Sequence, residues 1–210
     1  MRGVPEVRNA GAGPVANRKR ESILQEATRL FGAQGYAGTT MRDIATAVGV
    51  LPGSLYTHIQ GKEELLLEVV ETGIARFLTL EPLGADQGSS PVDRFREFIA
   101  GHVLLVAENP EWSRVINHQW RFLTGEKLRT VVAKRARYQD ILESIVEDGR
   151  RTGDFDPRQD VKVVLLAVLG ALNWTPEWYN PHGPDSALEV GHRLADSLLG
   201  GLVDRPSEDT

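Results

Sequence analysis

TTMRDIATAVGVLPGSLYTHI, running from Thr39 to Ile59, decides how the rest of the chain is read. Ile44, Ala45 and Val48 fall at helical spacing, and Leu55 with Ile59 four residues on supplies a facing apolar stripe. Gly49 stands between the two stripes, where the chain must turn sharply. Thr40 can cap the first helix with its hydroxyl, and Pro52 suits the first turn of the second, where its missing N–H would be unpaired anyway. Two short helices across a glycine turn make a helix-turn-helix, whose second, recognition helix fits a major groove of DNA.

The neighbouring segments extend this unit to three helices and a connector. Upstream, RKRESILQEATRLFGAQGY (Arg18 to Tyr36) puts Ile23, Ala27, Leu30 and Phe31 on one helical face that stops at Gly35. Downstream, GKEELLLEVVETGIARFLTL (Gly61 to Leu80) begins another helix. The order of these features resembles the TetR family of dimeric transcriptional regulators over roughly Arg18 to Leu67. The residues that carry the resemblance are the Gly35-Tyr36 pair, the run Thr39 to Ala45, Gly53-Ser54-Leu55-Tyr56-Thr57-His58, and Lys62-Glu63-Glu64-Leu65.

The resemblance implies that Tyr56 reaches a DNA phosphate with its hydroxyl; packing beneath the recognition helix is the alternative. Thr40, Thr57, His58 and Lys62 are further phosphate candidates, and Arg18, Lys19 and Arg20 can reach backbone or minor groove. Base reading falls to Leu51, Pro52, Gly53 and Ser54 at the start of the recognition helix. Relatives often carry Ser, Thr or Lys where this chain has Leu51 or Pro52. Neither residue can make a bidentate bond to a base, so thymine-methyl contact and shape readout are expected to matter more.

Charge supports the same division. The chain has 210 residues and a net charge of −5, which is unusual for a DNA binder taken as a whole. Up to Lys62 there are eight Lys or Arg against four Asp or Glu, and beyond it sixteen against twenty-five, so the basic surplus lies on the helix-turn-helix end. The length accommodates a small domain and a larger one. Expected boundaries are a disordered arm over 1–16, a DNA-binding domain over 17–62, a ligand-binding and dimerisation domain over 63–203, and a flexible tail over 204–210. With no cysteine, no apolar run long enough for a membrane span and no signal-peptide core, the protein is expected to be soluble and cytoplasmic, with no membrane partner.

The fold class expected is all-α, with about nine helices and no alternating strand pattern. Beyond the connector, helices are expected over Val92–Glu108, Trp112–Leu123, Glu126–Thr152, Asp160–Trp174 and Ala187–Leu202, with polar or glycine- and proline-bearing breaks between them. Apolar residues nearly encircle the helix from Asp160, so it must be buried on both sides. The core accounts for one side, and the resemblance implies that the other pairs with a second subunit. Leu165, Val168, Leu169, Leu172, Leu188, Leu194 and Leu198 are the interface candidates. A two-fold dimer implies a palindromic operator with half-sites at least about 34 Å apart.

Aromatics interleaved with polar groups in the larger domain suggest a small-molecule cavity. His102, Trp112, His118, Gln119, Phe122, Tyr138, Trp174 and Trp178 are its candidate lining; filling an ordinary core is the alternative. The C-terminal run from Leu172 to Leu202, with Trp174, Trp178, Tyr179, Pro181, Gly183 and Pro184, is similar to the ending of a TetR subgroup of fatty-acid and sterol-ring catabolism repressors. That similarity implies an acyl-CoA effector, for whose phosphates Arg114, Arg121, Lys134, Arg135 and Arg137 are candidate cations. No cofactor or metal is expected, because the five histidines show no paired ligand spacing and there is no Gly-rich phosphate loop with Lys. No catalytic residues are assigned. An efflux-type regulator with a non-CoA hydrophobic ligand, a DNA-binding adaptor for a protein partner, and an enzyme with a DNA-binding appendage stay as alternatives.

Overall fold

The computed structural model describes residues 14–57 and 59–203, and every regular element within them is helical. Eleven α-helices follow in order: α1 Pro14–Gly38, α2 Met41–Val48, α3 Pro52–Leu55, α4 Lys62–Phe77, α5 Glu81–Ala85, α6 Pro91–Glu108, α7 Pro110–Arg114, α8 Gly125–Thr152, α9 Val161–Asn173, α10 Thr175–Trp178 and α11 Ala187–Leu199. The nine expected helical regions are present, and α5 and α10 are short additions inside expected connections. Two differences are physical. α1 starts at Pro14, inside the expected arm, whose residues 1–13 lie outside the described residues, as do His58 and the tail 204–210. The region Trp112–Leu123 is not one helix: α7 passes into a π-helical turn at Val115–Gln119 and then a 3₁₀ turn at Trp120–Phe122.

Helix ends follow local chemistry. Thr40 and Asp43 form a reciprocal capping box on α2, Ser90 caps α6 through the Asp93 N–H, Asp160 caps α9, and Ser186 with Glu189 boxes α11. Gly49 closes α2 in the left-handed region (φ 75°) and Gly35 breaks α1 at φ 78°, positions where a Cβ would be strained.

Two apolar clusters fill the molecule. One joins Ile23, Phe31, Ile44, Leu55 and Ile59 of the head to Leu65, Val69 and Ile74 of α4, and continues to Val115, Ile116 and Val131. The other packs Phe95, Phe98, Leu142, Phe155, Val168, Leu172 and Leu199 between α6, α8, α9 and α11. The first cluster therefore crosses the expected boundary at residue 62, with α4 as its shared wall. No helix among the described residues is long and apolar enough to cross a membrane.

Candidate functional site

The exposed rim of the helix-turn-helix begins at Leu51, which is 79% exposed and starts α3 with no side-chain cap. Pro52 and Gly53 are exposed beside it, Ser54 is half-buried, and Tyr56 is 58% exposed. Tyr56 is thus not packed under the recognition helix. Thr57 is exposed, and its hydroxyl donates to the Ser54 carbonyl at 2.7 Å. Leu55 and Ile59 point inward and hold this rim in place.

Several other residues assigned to DNA have work inside the fold. Lys62 is half-buried: its ammonium donates to the carbonyls of Tyr36 and Thr39, both at 2.9 Å, and lies 4.2 Å from the centre of the Tyr36 ring. It clasps the start of α4 to the end of α1, a structural role beside the phosphate contact expected of it. Arg20 makes a forked pair with Glu68 of α4, at 3.1 and 2.8 Å, and is likewise an internal tie. Thr40 keeps its hydroxyl within the capping box, accepting from the Asp43 N–H at 3.1 Å and donating to the Asp43 carboxylate at 2.7 Å. That hydroxyl, together with the Thr40 N–H donating to the same carboxylate at 2.8 Å, holds the Asp43 carboxyl below its ordinary range. Arg18 is exposed and Lys19 half-buried in the first turns of α1.

In the larger domain a cavity of about 40 Å³ lies between α4, α6, the π turn, α8 and α9. His102 and Tyr138 share a hydrogen bond of 2.7 Å on its wall, with Phe77 4.7 Å from the imidazole and Phe98 stacked at 5.3 Å on Tyr138. Burial dominates the electrostatics, pushing His102 down to about 3 against a weaker opposing pull from the Leu172 backbone, and Tyr138 well above its ordinary value. At neutral pH the pair is uncharged. Asn117, Arg135, Gln139 and Asn173 add polar groups to an otherwise apolar wall of Ile74, Phe77, Ile116 and Leu169. A groove of about 470 Å³ runs along α8 and α9 and shares Gln139, Leu169 and Asn173 with the cavity.

Of the eight ligand candidates read from sequence, this cavity brings together His102 and Tyr138. The other six sit elsewhere. Trp112 packs on the first cluster under the Arg76 guanidinium, 4.7 Å from the ring centre. His118 meets Trp174 edge-on at 6.2 Å, and Trp174 and Trp178 are 57% and 43% exposed. Phe122 lies against Tyr36 at 5.2 Å. Gln119 accepts a hydrogen bond from the Tyr36 N–H at 2.9 Å, so it joins the two ends of the molecule instead of facing a ligand. Ile74, Phe77, Gln139 and Asn173 were not singled out in sequence. The i, i+3 spacing of Ile74 and Phe77 was a usable signal; nothing local marked the other two.

The interface candidates also divide. Val168, Leu169 and Leu172 are buried in the second cluster of their own subunit, Leu165, Leu194 and Leu198 are half-buried, and Leu188 is exposed. The outward face of α9 is instead Val163, Leu166, Ala167 and Gly170, followed by Trp174. Among the described residues no group of three or more His, Cys, Asp or Glu is placed to hold a metal.

Comparisons with known proteins address both ends. Residues 23–69 match the family described as bacterial regulatory proteins, tetR family, and residues 88–202 match the tetracyclin repressor-like C-terminal domain. The chain is 30% identical over 194 residues to the HTH-type transcriptional repressor KstR2 of Mycolicibacterium smegmatis, an alignment covering 88% of this chain and 91% of that protein. The structure of ketosteroid transcriptional regulator KstR2 of Mycobacterium tuberculosis superposes with a TM-score of 0.78 at 25% identity, covering 94% of this chain and all of that one. AibR in complex with isovaleryl coenzyme A and operator DNA superposes with a TM-score of 0.75 at 30% identity, covering 88% and 97%. With an exposed helix-turn-helix rim at one end, a cavity at the other and family matches over both, the chain belongs to the TetR family of transcriptional regulators and is not an enzyme.

Proposed function

We propose that the protein is a homodimeric repressor that binds a palindromic operator in the cytoplasm and is released from it by an acyl-CoA thioester of lipid or sterol catabolism. The observation that carries this reading is the π-helical turn Val115–Gln119. Ile116 and Asn117 line the cavity, while Gln119, at the end of the same turn, holds the Tyr36 N–H of the head. The effector class rests on the similarity to KstR2 repressors and to AibR, whose structure holds isovaleryl coenzyme A.

The mechanism follows from size and linkage. A cavity of about 40 Å³ holds a few water molecules and not an acyl chain, so ligand entry requires the walls to part. The shared residues Gln139, Leu169 and Asn173 connect the cavity to the groove along α8 and α9, whose Leu166 and Gly170 face the proposed second subunit. An occupant that spreads Ile116 and Ile74 moves the π turn and α4 together, and with them the head through Gln119, Lys62 and Arg20. Release from DNA then equals the ligand's differential affinity for the two arrangements. A second subunit covering Val163, Leu166 and Gly170 would set two recognition rims one groove repeat apart.

The test is footprinting on the protein's own promoter combined with sedimentation. The reading expects a symmetric protected site and a dimer at micromolar concentration. An asymmetric single half-site bound by a stable monomer contradicts it.

A further inference from the structure

Five cations of the larger domain stood as candidates for the charged part of an effector, and the fold separates them. Arg114 pairs with Glu177 at 3.1 Å, Lys134 with Glu71 at 2.7 Å and Arg137 with Glu81 at 2.6 Å. Among the described residues Arg121 and Arg135 contact an indole ring and a backbone carbonyl and no carboxylate. Both lie against one indole: their guanidinium carbons are 5.1 and 4.9 Å from the centre of the Trp120 ring. Arg135 is half-buried and spends one donor on the Ile116 carbonyl at 3.1 Å. The buried Trp120 indole N–H has no acceptor among the described residues. Burial and the nearby charge of Arg121 both pull Arg135 below its ordinary value. A desolvated cation beside a second cation is unfavourable unless an anion joins them, and guanidinium forks suit carboxylate and phosphate oxygens.

We propose that Arg121, Trp120 and Arg135 form an anion-binding site beside the cavity, which takes the carboxylate or phosphate oxygens of the effector. The site deepens the reading above and rests on the same cavity, because Arg135 also lines it. Arg135 holds the π turn through Ile116, so an anion that draws its guanidinium away loosens the segment that carries Gln119. The cation pair thus selects charged effectors and couples their charge to the head.

Calorimetry on the full chain without DNA tests this, using octanoyl-CoA, octanoate, pyrophosphate and methyl octanoate as probes. At least one anionic probe is expected to bind about tenfold or more tightly than the uncharged ester. R135Q and R121Q should erase that preference, and R135K should keep part of it. Arg121 is exposed, so R121Q carries the test should R135Q fail to fold. Binding of octanoyl-CoA and pyrophosphate without octanoate identifies phosphate as the anion; binding of octanoate identifies a carboxylate. Failure of every anionic probe to bind, an ester that binds as tightly as they do, or a preference unchanged in both glutamine variants overturns the site. An arginine-dependent anion that leaves the DNA complex intact would instead sink the effector-release reading and spare the site.

Discussion

Lys62, Tyr56 and His102 show three ways in which one side chain sets behaviour. Removing the Lys62 ammonium leaves the Tyr36 and Thr39 carbonyls without their charged donor, so Lys62→Met should cost about 2 kcal/mol in chemical unfolding. An unchanged midpoint would remove this clasp from the forces that hold the head. Tyr56 stands clear of the fold, and Tyr56→Phe should weaken operator binding about fivefold to tenfold while changing stability by less than about 0.5 kcal/mol. Equal affinity for the two proteins would remove its hydroxyl from the interface. His102 is held neutral down to about pH 3, whereas an unfolded histidine takes up its proton near 6.5. Its contribution is complete above pH 6.5 and is lost on acidification, by up to about 1.4 kcal/mol per pH unit between those limits. His102→Gln should therefore lose less stability between pH 7 and 5 than the parent protein, as read by urea midpoints; equal losses would mean that the imidazole protonates freely in the fold.

At the scale of elements, the proposed coupling runs through the contact between α4 and the π turn. A Cβ at Gly73 would run into the Ile116 side chain. Gly73→Ala should cost about 1–3 kcal/mol through overpacking and should shift effector-dependent release, as measured by thermal unfolding and DNA titration together. A variant with parental stability and release would remove this contact from the coupling path. The same junction marks the limit of what the sequence reveals. Helix ends were legible because Thr40, Gly35 and Gly49 act through local backbone chemistry. The π turn was not, since the apolar period of Val115, Ile116 and Trp120 fits an α-helix as well, and tertiary packing chooses between them. For α9, apolar residues lie on every side, so periodicity alone could not say that Val168 and Leu172 face inward while Leu166 faces out. His102 and Tyr138 stood out in the sequence as polar aromatics of the larger domain, but Gln119 could be recognised as a tie to Tyr36 only once both elements were in place.

At the scale of the whole molecule, α9 carries an apolar strip in which Val163 is 60% and Leu166 75% exposed. If this strip is the proposed dimer interface, Leu166→Arg should give a monomer in sedimentation and weaken operator binding with it; a variant that still dimerises would move the interface elsewhere. Charge divides along the same axis, basic at the head and acidic beyond it, so operator affinity should fall steeply with salt as counterions are released. The most direct measurement is a fluorescence-anisotropy titration of the full chain on its own promoter DNA, with and without acyl-CoA thioesters, at two salt concentrations. Sequence-selective, salt-sensitive binding that a thioester reverses is the expected result. Selective binding unmoved by every thioester would contradict the effector class, and equal affinity for promoter and unrelated DNA would contradict the operator-binding account itself.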